Sequence, residues 1–356
     1  MTPERTEPAP SQAAGTQRPV DRTGKESGPS PWHTTIRIGV GLALLIGVLV
    51  TAFAWPAAES GPRDIPIAVV GPPDAAAGLE RQLNAAMPDA FELTVAADGD
   101  QAQQLIEDRE AYGAVVFESG GPPRVLIASA ASPAVAQVIS AMATHMSQPD
   151  TPAPAVTDLA PLSDDDPRGA GFAAAALPMV MGGMIVGVAM CMVISGTWRR
   201  VTGALVAAVL AGPVVGLVVQ SWLGVLDGHY WVNAGVVSMT IAAISLTLIG
   251  LHALIGPPGI GIGAAVMFLL GNPLSGVTSA PEMLPAGWGA VGQALPPGAG
   301  GSLLRSTSFF DGAAAAGPVV VLSSWILGGI LLAAIGWRSR ERTTSGSTSR
   351  VATVGS

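Results

Sequence analysis

Long runs of residues without a single charged side chain constrain this chain more than any other feature. A helix rises 1.5 Å per residue, so about 20 apolar residues cover the roughly 30 Å hydrocarbon core of a bilayer. The first candidate span is Ile36 to Trp55, in which the uncharged stretch IGVGLALLIGVLVTAFAW follows Arg37. Others fall at Phe172–Ser195, Val201–Trp222, Trp231–Ile255, Gly259–Leu270 and Gly317–Trp337, the fifth being the shortest. Charged residues are 12% of the 356, about half of the ~25% usual in soluble domains, and hydrophobic residues are 49%. The expected fold is therefore an α-helical polytopic membrane protein with six transmembrane helices.

For the first run a cleaved signal peptide competes with a retained anchor, because AFAW and PAAES supply small residues near a possible cleavage site. Signal cores are about 7–15 residues, and this run is longer, which favours the anchor. Orientation follows from the basic residues at the span ends. Arg18, Arg22, Lys25 and Arg37 precede or open the first span, Arg199 and Arg200 separate the second from the third, and Arg338, Arg340 and Arg342 follow the sixth. Six spans with both termini cytoplasmic put all these clusters inside, in the cytoplasmic membrane. Residues 1–35 and 338–356, which lack an apolar period, read as disordered cytoplasmic tails.

The same topology leaves residues 56–168 outside, with 17 acidic residues against five arginines. The net charge of −8 for the whole chain argues against nucleic acid as a partner, since such proteins present basic surfaces to phosphate. The external segment alternates strand and helix patterns. IPIAVV, FELTVAA, YGAVVF and RVLIAS read as strands, with the turn ESGGPP between the last two; GLERQLNAAM, DGDQAQQLIEDRE and Ala134–Met146 read as helices. The second helix opens on an Asp cap, and the third leads into the Pro-rich linker PDTPAPAVTDLAPLSDDDP. The order predicts a small α/β domain inserted between the first and second spans.

Enzymatic chemistry finds little support. Asp98, Asp100, Glu107, Asp108, Glu110 and His145 bring carboxylates close enough to consider a divalent cation. A capped helix with a solvated acidic face, partly offset by Arg109, accounts for them equally well. No HExxH, GxSxG or calcium-loop spacing is present. DRTGKES at Asp21–Ser27 fails as a phosphate loop, because Glu26 stands at the Ser/Thr position and no Gly stands five before Gly24. The lone Cys191 excludes an intramolecular disulfide and a Cys-rich metal site. No catalytic residue, metal or cofactor is expected.

Span interiors hold none of the ionisable groups that ion-coupled transporters need; His252 lies near a span end, and Gln220 and Asn233 near interfaces. Gly183 with Gly187, and Gly212 with Gly216, have the GxxxG spacing of closely packed helices. Pro178 and Pro213 are expected to kink or open their helices.

Gly271–Gly312, GNPLSGVTSAPEMLPAGWGAVGQALPPGAGGSLLRSTSFFDG, is neither a clean span nor an ordinary polar loop. Asn272-Pro273 breaks the fifth helix, and Pro281, Pro285, Pro296 and Pro297 divide the remainder of the stretch into short pieces. Irregular backbone at membrane depth persists only against protein or a wet cavity. Trp288, Phe309 and Phe310 suit an interface. Arg305 is the one basic residue expected outside after the second span, either to meet an anionic substrate or headgroup or to pair with Glu282 or Asp311. The substrate path or re-entrant segment is thus expected to involve Asn272, Pro273, Glu282, Pro285, Trp288, Gln293, Pro296, Pro297 and Arg305.

NPLSG, PEMLP, a Trp, ALPPG and LLRS in that order resemble the fifth-to-sixth-helix region of the ABC-2 type permeases. The large external domain, with IPIAVVG, YGAVVF and VLIASAAS, resembles the branch containing phage infection protein and related actinobacterial membrane proteins. The resemblance covers roughly residues 36–337. It implies a permease that exports a hydrophobic or amphipathic substrate, as a homodimer or paired with a second permease in membrane lipid, driven by a separate ATP-binding subunit. One departure concerns the docking of that subunit, which the family achieves through a helix before the first span and a loop helix between the second and third. Here SGPSPWHTT is poor helix material and the loop is about GTWRR. A non-transporting envelope receptor or scaffold, acting through the acidic external domain, is the competing expectation.

Overall fold

A computed structural model describes residues 31–117, 122–145 and 154–352, without the side chains of 145 and 343–352. The DRTGKES segment, most of the N-terminal tail with Arg18, Arg22 and Lys25, most of the ESGGPP turn and the start of the Pro-rich linker lie outside the described residues, as does the side chain of His145. The chain divides into Met1–Gly47 and Val48–Ser356. Within the first unit the described residues belong to helix α1 (Trp32–Ala58), which begins at Trp32, four residues before the apolar run.

In the second unit five strands form one sheet: β1 (Ile65–Val70), β2 (Phe91–Val95), β3 (Gly113–Val116), β4 (Arg124–Ile127) and β5 (Ala155–Asp158), ordered β2-β1-β3-β4-β5. β1 pairs parallel with β2 (Ile65 opposite Phe91) and with β3 (Ile67 opposite Gly113); β4 is antiparallel to β3 and parallel to β5. The first four strands sit where alternation places them. β5 was hidden inside the Pro-rich linker; it is a short, fully exposed edge strand, the place a sheet tolerates neighbouring prolines.

Helices α2 (Pro73–Ala86), α3 (Gly99–Glu107) and α4 (Pro133–His145) cover the sheet. α3 starts as its sequence indicates, with the Asp98 side chain accepting from the Gln101 N–H at 2.8 Å. Both faces of the sheet are buried. One core holds Ile65, Ile67, Val69, Val115 and Ile139; the other holds Ala68, Ile106, Ala114, Leu126 and Ala131.

Four further long helices are α5 (Ala170–Val193), α6 (Thr197–Gly216, extended by a π-helical turn Leu217–Trp222), α7 (Tyr230–Ile255) and α11 (Ala316–Ala352). With α1 they make five helices long and apolar enough to cross a membrane. The fifth run is shorter: α8 (Pro257–Ala265) and a π-helical turn Val266–Gly271 end at Asn272-Pro273. Fifteen residues reach about 22 Å, short of the hydrocarbon thickness, so among the described residues five rather than six helices qualify by themselves. α11 continues through Ala352 where an irregular tail was expected.

α7 is the axis of this bundle. It is buried over most of its length, whereas α5, α6 and α11 turn one face outward. Glycines permit that central position. A Cβ on Gly183 would come 2.9 Å from Ile244 Cβ, one on Gly187 would come 3.1 Å from Ser245 O, and one on Gly212 would come 2.2 Å from Ala234 O. Gly216 faces the Tyr230 ring, and Gly329 and Gly336 of α11 lie against the α7 backbone at Leu246 and Ala253. The GxxxG pairs are therefore packing surfaces on α7. Pro178 lies within an uninterrupted α5, while the π turn of α6 begins four residues after Pro213.

Candidate functional site

Residues 272–315 connect α8 to α11 through a 3₁₀ turn at Pro281–Met283, α9 (Trp288–Gln293) and α10 (Pro296–Phe309). The tandem prolines open α10 rather than interrupting a helix. Pro296 and Pro297 occupy its first turn, where a missing N–H costs nothing, and Pro257 does the same for α8. α10 fits tightly because a Cβ on Gly298, Gly300 or Gly301 would collide with Gly292 O, Thr240 or Val277. Its start meets the end of the broken helix, Pro297 against Gly271, and its C-terminal end bonds α7 through Thr307 Oγ1 and Asn233 Oδ1 at 2.7 Å.

This region completes the sheet domain on both faces. Ala280 and Met283 join the core beneath β1 and α4; Phe309, Phe310 and Ala313 join the core beneath α3. Phe310, expected at a lipid interface, is buried in that second core, and Phe309 packs edge-on to Phe172 at 6.2 Å. Trp288 stands edge-on to Trp55 at 5.5 Å.

Between the sheet domain and the irregular segment lies a cavity of about 570 Å³. Arg305, 7% exposed, forms part of its wall. Its guanidinium donates to Ala131 O at 2.7 Å and Val277 O at 3.0 Å, and its Cζ sits 4.9 Å from the centre of the Phe172 ring. The expected pairing with Glu282 or Asp311 does not occur. Asp311 is exposed in a turn, and Glu282 accepts the Tyr112 hydroxyl at 2.7 Å. Its guanidinium, like any in a protein, stays protonated at neutral pH.

Arg109 joins the same wall from the sheet domain. It follows α3 in the left-handed region (φ 62°), and the Glu110 and Ala111 N–H groups both donate back to Leu105 O. That turn sends its side chain inward, where the guanidinium donates to Ser302 O at 3.0 Å and to Ser306 Oγ and lies 5.3 Å from the Phe310 ring centre. Arg109 is thus a half-buried contact to α10, not a surface offset to the acidic helix face. Burial lowers its pKa and raises that of Tyr112, the latter reinforced by Glu282.

The remaining polar wall is connected. Gln293 Nε2 donates to Ser275 O at 2.8 Å, and Gln293 Oε1 accepts from Ser302 Oγ at 2.6 Å. Arg63, after α1, donates to Glu59 O and Leu284 O. Of the expected residues, Glu282, Pro285, Gln293 and Arg305 line the cavity; Asn272, Pro273, Trp288, Pro296 and Pro297 shape the segment without lining it. Arg63, Arg109, Tyr112, Ser275 and Ser302 were not foreseen. Ser275 and Ser302 lie in the singled-out 271–312 stretch, whereas the neighbourhoods of Arg63, Arg109 and Tyr112 read as helix ends and strand starts, with no signal for a shared wall.

A second, apolar groove of about 480 Å³ runs between α5 and α6, lined by Ala174, Pro178, Met179, Val215 and Val218 among others. Among the described residues no three His, Cys, Asp or Glu side chains gather as metal ligands, and Asp98 serves as a helix cap. No family model, curated protein or solved structure matches this chain.

Proposed function

We propose that the protein is the membrane-spanning permease subunit of an ABC-2 type exporter in the cytoplasmic membrane, moving a hydrophobic or amphipathic substrate with ATP hydrolysis in a separate subunit. On this reading the chain crosses six times with both termini inside. α8 forms the inner part of the fifth passage, 272–295 runs outward and folds back, and α10 forms a re-entrant outer half. The observation that carries the reading is the meeting of two short helices at Gly271 and Pro297 beside a long central helix, with irregular backbone facing a polar cavity. Such backbone is tolerated at membrane depth only in that setting. The apolar groove between α5 and α6 offers a surface for the apolar part of a substrate.

The receptor or scaffold reading draws on a specific feature: α5 and α6 are joined by only Ile194–Gly196, which leaves no loop helix for an ATPase. The extension of α11 beyond Trp337 is the docking element the exporter reading uses instead. Affinity purification of the tagged full-length protein from native membranes, with mass spectrometry, separates the two. A stoichiometric ATP-binding subunit with nucleotide hydrolysis in the complex supports the exporter. Recovery of envelope proteins alone, repeated after gentle crosslinking, overturns ATP-driven transport.

A further inference from the structure

Each guanidinium has five N–H groups. Arg305 places two of its own on Ala131 O and Val277 O, and Arg109 places two on Ser302 O and Ser306 Oγ. The remaining donors have no protein acceptor among the described residues, and no carboxylate there forms an ion pair with either side chain. Both groups line the same cavity.

A buried charge without an ion-pair partner, as at Arg305, is costly, and the half-buried Arg109 adds a second positive charge to the same wall. Of the two carboxylates in the wall, Glu282 accepts the Tyr112 hydroxyl and Asp64 is exposed. Over the whole wall, Arg63, Arg109 and Arg305 outnumber Asp64 and Glu282, in an external region that is otherwise strongly acidic. The cavity falls within the roughly 300–1,000 Å³ of small-ligand sites. Guanidinium forks match the paired oxygens of phosphates and carboxylates, and Gln293 and Ser302 add neutral polar groups beside them.

We propose that this cavity binds an oxyanion, a phosphate or carboxylate group held between Arg109 and Arg305. The oxyanion neutralises the buried excess charge and takes the guanidinium donors left over. It arrives either as the headgroup of an anionic amphiphile or as a small soluble anion. The site stands on the cavity alone and does not require transport, so its test reads binding without export.

The test uses the full-length protein in phosphatidylcholine nanodiscs. One arm adds a minor fraction of phosphatidylglycerol and measures retained lipid by native mass spectrometry; the other titrates inorganic phosphate calorimetrically. Wild type is expected to bind in at least one arm, with about a ten- to hundredfold loss in Arg109→Gln and Arg305→Gln. Arg81→Gln, on the exposed face of α2, should bind as wild type. Because Arg305 also bridges two backbone carbonyls, Arg109→Lys provides a second reading: it keeps the charge, loses the fork and should bind at an intermediate level. Lipid retention that phosphate does not displace identifies a headgroup; phosphate binding of similar strength identifies a soluble anion. Absence of binding in both arms, or equal binding by wild type and Arg109→Gln, overturns the site. Either result leaves the partner-capture experiment to decide the transport reading on its own.

Discussion

Arg305 concentrates the physics of this protein in one side chain. The cation joins a carbonyl of the sheet domain, Ala131 O, to one of the irregular segment, Val277 O, across the Phe172 ring. Arg305→Leu leaves both carbonyls buried without a donor, a cost only partly relieved by removing a buried charge. A net destabilisation of about 2 kcal/mol is expected, read as a lower thermal midpoint in detergent, with Arg305→Lys in between. Tyr112 tests the same wall through pH. Its folded pKa is raised, so below pH 10 the hydroxyl is protonated in both states and its bond to Glu282 contributes fully. As pH rises past 10 the unfolded state ionises first and that contribution falls away. The stability difference between wild type and Tyr112→Phe should therefore shrink above about pH 10; a constant difference from about pH 8 to 11 would contradict the assignment. Arg305 was legible as the one Lys or Arg between Arg200 and Arg338. Its partners were not, because backbone carbonyls 174 and 28 residues away leave no mark in sequence.

At the scale of elements, small residues and prolines decided more than hydrophobic content. The glycine faces of α5, α6 and α11 let three helices close on α7. Gly212→Ala would place a methyl about 2.2 Å from Ala234 O, and overpacking of this kind costs about 1–3 kcal/mol. Gly235→Ala, with open space around it, should be neutral or slightly stabilising in the same thermal assay. GxxxG spacing announced the contact, and tertiary structure supplied the partner helix. The Pro296-Pro297 doublet does divide the segment into short pieces, but its sequence does not say that it also opens α10. A Pro-Pro pair looks the same before a helix as inside one, and only the extended Leu295 shows that a new helix begins there. β5 escaped for a related reason, since four exposed residues beside prolines carry no alternation.

For the molecule as a whole, the sheet domain and the irregular segment share two cores and the arginine bonds, so neither is a free module. Deleting residues 57–168 should expose Phe310, Ala280 and both ends of the cavity wall. The truncated bundle is expected to aggregate or lose its cooperative unfolding transition, as size-exclusion chromatography and thermal scans in detergent would show. A monodisperse, cooperatively melting bundle would show that the domain is separable after all. Point substitutions at Arg109 are therefore the sharper probe of the sheet domain's function.

The sequence by itself determined the helical, apolar character of this protein, the positions of β1 to β4 along the chain, the Asp98 cap and the break at Asn272-Pro273. Each comes from local periodicity or from the stereochemistry of one or two residues. Tertiary structure alone decided that Phe310 faces protein. It alone decided that Arg109 and Arg305, 196 positions apart, share one wall. Those outcomes depend on which surfaces exclude water together, and a buried charge is recognisable only when its surroundings are in place.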